Sequence, residues 1–185
     1  MKFLTGLLVG FWLSLTFASA QEVVTNVVST QLEMLEARTN ALIVRGVGQV
    51  GAVSINSGTV TVRCRESNDL SHNQKLYGAV FDFSGEGLRR QDAVVDDDEL
   101  DDFIAMLDYL MKITPEVTGM PAFEAHYTTR SGIRFSALGS RHQPGIQFFL
   151  RYDDSARISI SSDQLQQIRN LASQARGQIN NLKGR

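Results

Sequence analysis

The densest group of reactive side chains in the sequence is acidic: Asp92, Asp96, Asp97, Asp98, Glu99, Asp101 and Asp102. Calcium favours such clusters, because a hard cation takes several carboxylate oxygens. The run lacks the central glycine and ligand order of an EF-hand loop, and a helix would splay adjacent carboxylates around its axis. It reads instead as the solvated start of a helix. Asp96 or Asp97 would cap it, and the acids that follow favour the positive end of the helix dipole. No metal or cofactor is expected.

Cys64 is the only cysteine, and the histidines are His72, His126 and His142. A thiolate needs a neighbouring cation or base, and His72 is the nearest imidazole in sequence. Cys64, however, lies in Val60-Thr61-Val62-Arg63-Cys64-Arg65, which alternates with period two. That pattern sets Cys64 on one face with Val60 and Val62, as a small buried hydrophobe. A single cysteine excludes an intramolecular disulfide. His126 reads as a strand residue on a polar face, and His72 and His142 as loop residues. The nucleophile elbow, H-E-x-x-H, C-x-x-C and Walker loop are absent, and the one G-x-G-x-x-G spacing, Gly46-Val47-Gly48-Gln49-Val50-Gly51, lacks the strand–turn–helix setting that a dinucleotide fingerprint needs. Gly46-Val47-Gly48 is followed by no helix start that could hold a phosphate. No catalytic residue is assigned. An enzyme reading would need a hydrolase site of unfamiliar form, with His126 or Cys64 beside a carboxylate.

The arginines are more promising. Arg63 and Arg65 point away from the apolar side of their strand. Arg134 alternates with Ile133 and Phe135, and Arg151 shares its strand face with Gln147 and Phe149. A sheet face bearing Arg63, Arg65, Arg134, Phe149 and Arg151 could grip an anionic polymer, with phosphate or carboxylate taken by guanidinium forks. The competing reading is an ordinary solvated face whose arginines pair across strands with Glu66, Glu124 or Asp82.

These side chains need elements to position them. Residues 22–38 read as an amphipathic helix or an extended arm. Residues 41–47, 59–65 and 76–83 read as strands punctuated by glycine. A helix follows, with Leu100, Phe103, Ile104, Leu107, Leu110 and Met111 as its apolar stripe, and Pro115 closes it. Strands return at 122–130, 133–138, 146–152 and 157–160, with turns at Ser131-Gly132 and Asp153-Asp154-Ser155. Ser161 or Ser162 caps a last helix striped by Leu165, Ile168, Leu171, Ala172, Ala175, Ile179 and Leu182. Strands then helix thus occur twice, over about 41–114 and 120–185. A 65-residue shift lays Leu100 on Leu165, Phe103 on Ile168 and Arg65 on Arg130. The expected fold is α+β: one antiparallel sheet, covered on one face by two long helices and built by internal duplication, within a single domain spanning 41–185.

The start of the chain supplies an address. Met1-Lys2 is basic, Phe3 to Phe17 is an apolar run, and Ala18-Ser19-Ala20 offers small residues to a signal peptidase. Residues 1–20 read as a secretory signal peptide, so the product would begin at Gln21 and work in the periplasm or outside the cell. A membrane anchor would need about 20 apolar residues, and no later run comes close. The chain has 185 residues, is 43% hydrophobic and 21% charged, and carries a formal charge of −2. This is a globular composition without the basic excess of a nucleic-acid binder.

Several stretches together carry a resemblance. They are Ile43-Val44-Arg45-Gly46, Gly58 to Glu66, Lys75-Leu76-Tyr77-Gly78, Asp98-Glu99-Leu100-Asp101, Phe123 to Arg130 and Asp163-Gln164-Leu165. The chain resembles an uncharacterised family of small exported bacterial proteins, over nearly all of its length after the leader. That family supplies no catalytic residue to carry over. The strand-strand-strand-helix layout is also similar to the Whirly and PUR single-strand-binding folds, although export disfavours nucleic acid as a partner. The expectation is a non-enzymatic envelope protein that binds a partner protein or anionic polymer. Self-assembly through exposed strand edges is the alternative, and it leaves oligomerisation open.

Overall fold

Period-two alternation over 59–65 and 76–83 is the signature of half-buried strands. A computed structural model of the protein makes both segments the central strands of a sheet. The structure describes residues 30–85, 88–152 and 156–184, with the backbone alone for 88–91. The leader, residues 21–29 of the arm and the turn at 153–155 lie outside the described residues.

A short helix α1 (Gln31–Glu36) precedes β1 (Ile43–Ile55), β2 (Gly58–Asp69), β3 (Gln74–Gly85), β4 (Leu88–Asp96) and α2 (Leu100–Lys112). A 3₁₀ turn at Pro115–Val117 leads to β5 (Ala122–Thr128), β6 (Ile133–Ser140), β7 (Ile146–Tyr152), β8 (Ile158–Ile160) and α3 (Ser162–Lys183). The strands form two antiparallel sheets in the orders β1-β2-β3-β4 and β5-β6-β7-β8. The class is therefore α+β, but two sheets stand where one was expected, and four strands precede each helix.

The strand missed in the first half is β4. Its opening residues, Leu88-Arg89-Arg90-Gln91, carry no apolar alternation, and its end runs into the acidic cluster. Asp96 consequently ends a strand and does not begin a helix. The N-cap of α2 is Glu99, whose side chain makes no capping bond. The last helix does start as read: Ser161 caps α3 through its hydroxyl, in a reciprocal capping box with Gln164.

Both apolar helix stripes are buried, and they enter one core. Leu100, Phe103, Leu107 and Leu110 of α2 join Leu165, Ile168, Ala172, Ala175 and Ile179 of α3 against the inward faces of both sheets. Phe103 meets Phe81 of the first sheet edge-on and also packs on Phe135 and Tyr127 of the second. Phe83 and Tyr152, one from each sheet, stack directly. The helix of the second half lies across β1, β2 and β3 of the first. There the Cys64 thiol donates to the Ala175 carbonyl at 3.5 Å, and a Cβ on Gly51 would meet Leu171 at 2.7 Å. Among the described residues no helix is long and apolar enough to cross a membrane.

Candidate functional site

The alternation of β2 puts Arg63 and Arg65 on the outward face of the first sheet, and the structure shows what else that face holds. α1 lies on it. Leu32 packs against Val80 and Val94, and all three are buried. Thr30 caps α1 in a box with Glu33, while the two Asp96 carboxylate oxygens accept from the Gln31 and Leu32 backbone N–H groups at 2.7 and 3.1 Å. The other end of α1 brings Glu36 within 3.0 Å of Arg45 and 3.5 Å of Arg65. Arg63 contacts Asp82 and Asp92, and Arg65 also approaches Asp92 at 3.6 Å. Three cations thus meet three carboxylates. With Arg63 and Arg65 only 25% and 16% exposed in their side chains, this face is internally neutralised and largely covered.

Arg134, Phe149 and Arg151 belong to the other sheet, so the five residues do not form one face. On the outward side of the second sheet, the pairing register sets Thr128, Arg134 and Arg151 in one cross-strand row. His126, Ser136, Phe149 and Ser159 form the adjacent row. The two rows stand about 6.6 Å apart along the strands. Arg134 donates from Nε to the Thr128 hydroxyl at 3.0 Å. Arg157 pairs with Glu124 at 3.0 Å at the margin. Both long helices pack on the inward side and α1 sits on the first sheet, so no described helix covers these rows. His126, Thr128 and Ser159 are exposed, while Arg134, Phe149 and Arg151 are half-buried. His126 lies on a polar strand face, as its sequence position led us to expect. Thr128 did not stand out in the sequence, because its row exists only once the register is known.

The acidic run divides: Asp101 and Asp102 form the exposed acidic first turn of α2, as read, whereas the carboxylates before it build a clasp. Arg130, from the β5–β6 turn, binds Asp98 through both terminal nitrogens at 2.8 and 3.0 Å and reaches Asp96 at 3.4 Å. Arg176 of α3 holds the Asp97 carbonyl and carboxylate and contacts Asp101, and Lys183 contacts Asp97. Arginine and lysine thus occupy carboxylates that a cation would need. Among the described residues no group of three or more His, Cys, Asp or Glu could hold a metal ion.

Glu99, like Asp96, is a buried member of this cluster, at 7% exposure. Its Oε1 accepts from the Arg130 backbone N–H at 2.9 Å and from the Tyr127 hydroxyl at 3.4 Å, whereas Oε2 has no partner. Burial holds the Glu99 carboxyl above its ordinary pKa. Burial and the nearby Glu99 push the Tyr127 hydroxyl up to about 12. The sequence carried no sign of this pair, whose members are 28 residues apart.

The Cys64 and His72 side chains have separate environments. Cys64 is buried under α3, and desolvation pushes its thiol up to about 11. That position withdraws it as a nucleophile. His72 sits at the β2–β3 hairpin, where its Nδ1 lies 2.7 Å from buried Asp69. Burial alone would raise the Asp69 pKa, but bonds from His72 and Arg38 outweigh it and hold the carboxyl below the usual range. His72 is therefore part of the hairpin's structure and more than a loop decoration. Beside Cys64, a groove of about 420 Å³ opens between Gly46, Val47, Gly48, Glu66 and the end of α3 at Gln178, Asn181 and Leu182.

No protein-family model matches the chain, and neither a curated protein nor a solved structure matches it.

Proposed function

We propose that the protein is an exported, non-catalytic binding protein of the bacterial cell envelope, and that the outward face of its second sheet takes an anionic polymer. The observation that carries this reading is the direct cross-strand placement of Arg134 and Arg151. Each guanidinium fork offers paired N–H donors to phosphate, sulfate or carboxylate, so two forks set side by side suit a repeating anion. Phe149, in the neighbouring row, supplies a flat apolar surface for the body of a sugar unit. The arginines of the first sheet lie beneath α1 against Glu36, Asp82 and Asp92, with Arg63 and Arg65 side chains only 25% and 16% exposed.

Export is supported by the basic start, the apolar run at 3–17 and the Ala18-Ser19-Ala20 triplet. It favours an acidic polysaccharide over nucleic acid as the partner. The recurrence of four strands then a helix supports a common origin of the halves, as does the burial of both Leu100/Leu165 and Phe103/Ile168. Against it, Arg65 lies within β2 whereas Arg130 falls in a turn.

Chromatography on immobilised heparin, with N-terminal sequencing of the exported product, tests the reading. The expected product begins at Gln21 and is retained at low salt. R134E/R151E passes through, while K112E, altered away from that face, is retained like the parent. Retention of R134E/R151E equal to the parent, or no retention of the parent, sinks the polymer site. A product that keeps its leader in the cytoplasm sinks export.

A further inference from the structure

We infer that the open edge of β1 is the contact surface of a two-fold dimer, in which β1 pairs antiparallel with β1 of a second copy about an axis at Gly46. Among the described residues β2 is the one strand laddered to β1, and from Ile43 to Gln49 the other edge of β1 pairs with no strand. Near its far end the Ser54 carbonyl accepts from the Gln164 side chain at 3.1 Å. The half from Val44 to Gln49 is exposed throughout. Natural proteins blunt such edges with lysine, proline or short length. This one has neither residue, and its single charge, Arg45, is turned onto the outward face and held by Glu36. Apolar side chains crowd it instead: Leu42, Val44 and Val47 are 62%, 48% and 58% exposed.

The backbone fixes which residues can pair. The Leu70 N–H donates to the Leu42 carbonyl, and the register places Val44 opposite Asn68 and Gly46 opposite Glu66. Even-numbered residues of this segment therefore bond inward to β2. The N–H and C=O groups of Ile43, Arg45, Val47 and Gln49 point out of the free edge. An antiparallel partner must pair odd residues with odd residues. Centred on Gly46, the register joins Ile43 to Gln49 and Arg45 to Val47 of the second copy, twice each, for about eight backbone hydrogen bonds. Centring on Arg45 would oppose two guanidiniums. Centring on Val47 would run into the bulge between Gln49 and Gly51.

Shape agrees with this register. It sets Val44 of one copy across from Gly48 of the other, on the face that carries α3. There the missing side chains of Gly46 and Gly48 leave the groove beside Gln178 and Leu182. A Cβ at Gly48 would meet nothing nearer than 4.0 Å, so the space suits an incoming valine. On the opposite face Val47 meets the aliphatic stem of Arg45. The contact is isologous and closes at two copies, so the product is a dimer with one continuous sheet and not a filament.

The test is the sedimentation mass of the purified protein across a wide concentration range, with three variants. The parent is expected at twice its chain mass. V47P, which removes an outward N–H and no β1–β2 bond, is expected at half that mass with an unchanged circular dichroism spectrum. Under mild oxidation G46C should form an intermolecular disulfide, since the two central Cα atoms would approach to about 4.5 Å. V44C should not. Should V47P unfold, the G46C and V44C pair still decides the register. A parent that is monomeric at every concentration, a folded V47P that stays dimeric, or cross-linking of V44C as readily as G46C overturns the inference.

Discussion

The Phe103 ring meets Phe81 edge-on, with centroids 5.3 Å apart, and the same ring lies 5.8 Å from Phe135. One side chain of α2 therefore ties the inward faces of both sheets into a single core. Truncating a fully buried phenylalanine typically costs about 3–5 kcal/mol, through lost transfer energy and the cavity left behind. F103A should lower stability by that amount, and denaturant unfolding followed by far-UV and near-UV signals should stay coincident, because the inward faces of both sheets share one core. Separated transitions would mean that the sheets fold independently.

Asp96 and Asp98 are neighbours in sequence with different work. Asp96 is buried and accepts two backbone N–H groups at the start of α1, whereas Asp98 is half-exposed and pairs with Arg130 at the surface. Loss of a helix cap costs about 1 kcal/mol, up to 2. An exposed ion pair is worth roughly 0.2–1 kcal/mol. D96A should therefore lower the melting temperature more than D98A, and added salt should shrink the D98A effect by the larger fraction, because Asp96 acts chiefly through its backbone bonds and reaches Arg130 only at 3.4 Å. Equal losses would contradict the capping role of Asp96.

Glu99 gives stability an unusual sign of pH dependence. Its carboxyl is raised in the folded state by burial, so the folded chain holds the proton more tightly than the unfolded chain. That advantage is complete below the ordinary glutamate pKa of about 4.3. It is lost as pH rises through the raised folded value. E99Q, which keeps an acceptor for the Arg130 N–H, should remove this loss, so that its stability relative to the parent grows as pH rises through that window. Urea titrations at a series of pH values read this directly. Parallel curves for the two proteins would show that Glu99 does not titrate differently on folding.

Much of the fold was legible where burial has a simple period. The α2 and α3 stripes, the inward set Val60, Val62 and Cys64, and the Ser161 cap all follow from local pattern. β4 was not legible, because Leu88-Arg89-Arg90-Gln91 has no alternation and the acids after Val95 imitate a helix start. The division into two sheets was also hidden, since period two says which way a side chain points and not which strands pair. The arginine face divided for the same reason. Alternation assigned Arg63 and Arg151 each to a polar side, but only tertiary packing brings Glu36 of α1 to one sheet and leaves the outward face of the other without a helix among the described residues. The clasp between Arg176 and Asp97 joins residues 79 apart, a separation at which charge patterning carries no information.

The placement of α3 over the first sheet bears on how the chain acquires its fold. Cys64 on β2 waits for Ala175, 111 residues downstream, before its side of the sheet is covered. The first four strands emerging from a ribosome or a translocation channel would present Val53, Val60, Val62 and Phe81 to water with no helix to shield them. Contacts of such long sequence separation slow folding and lengthen the life of aggregation-prone intermediates. A chaperone that holds the nascent first half would therefore act on the inward face of β1–β3, and would be displaced by α3 itself.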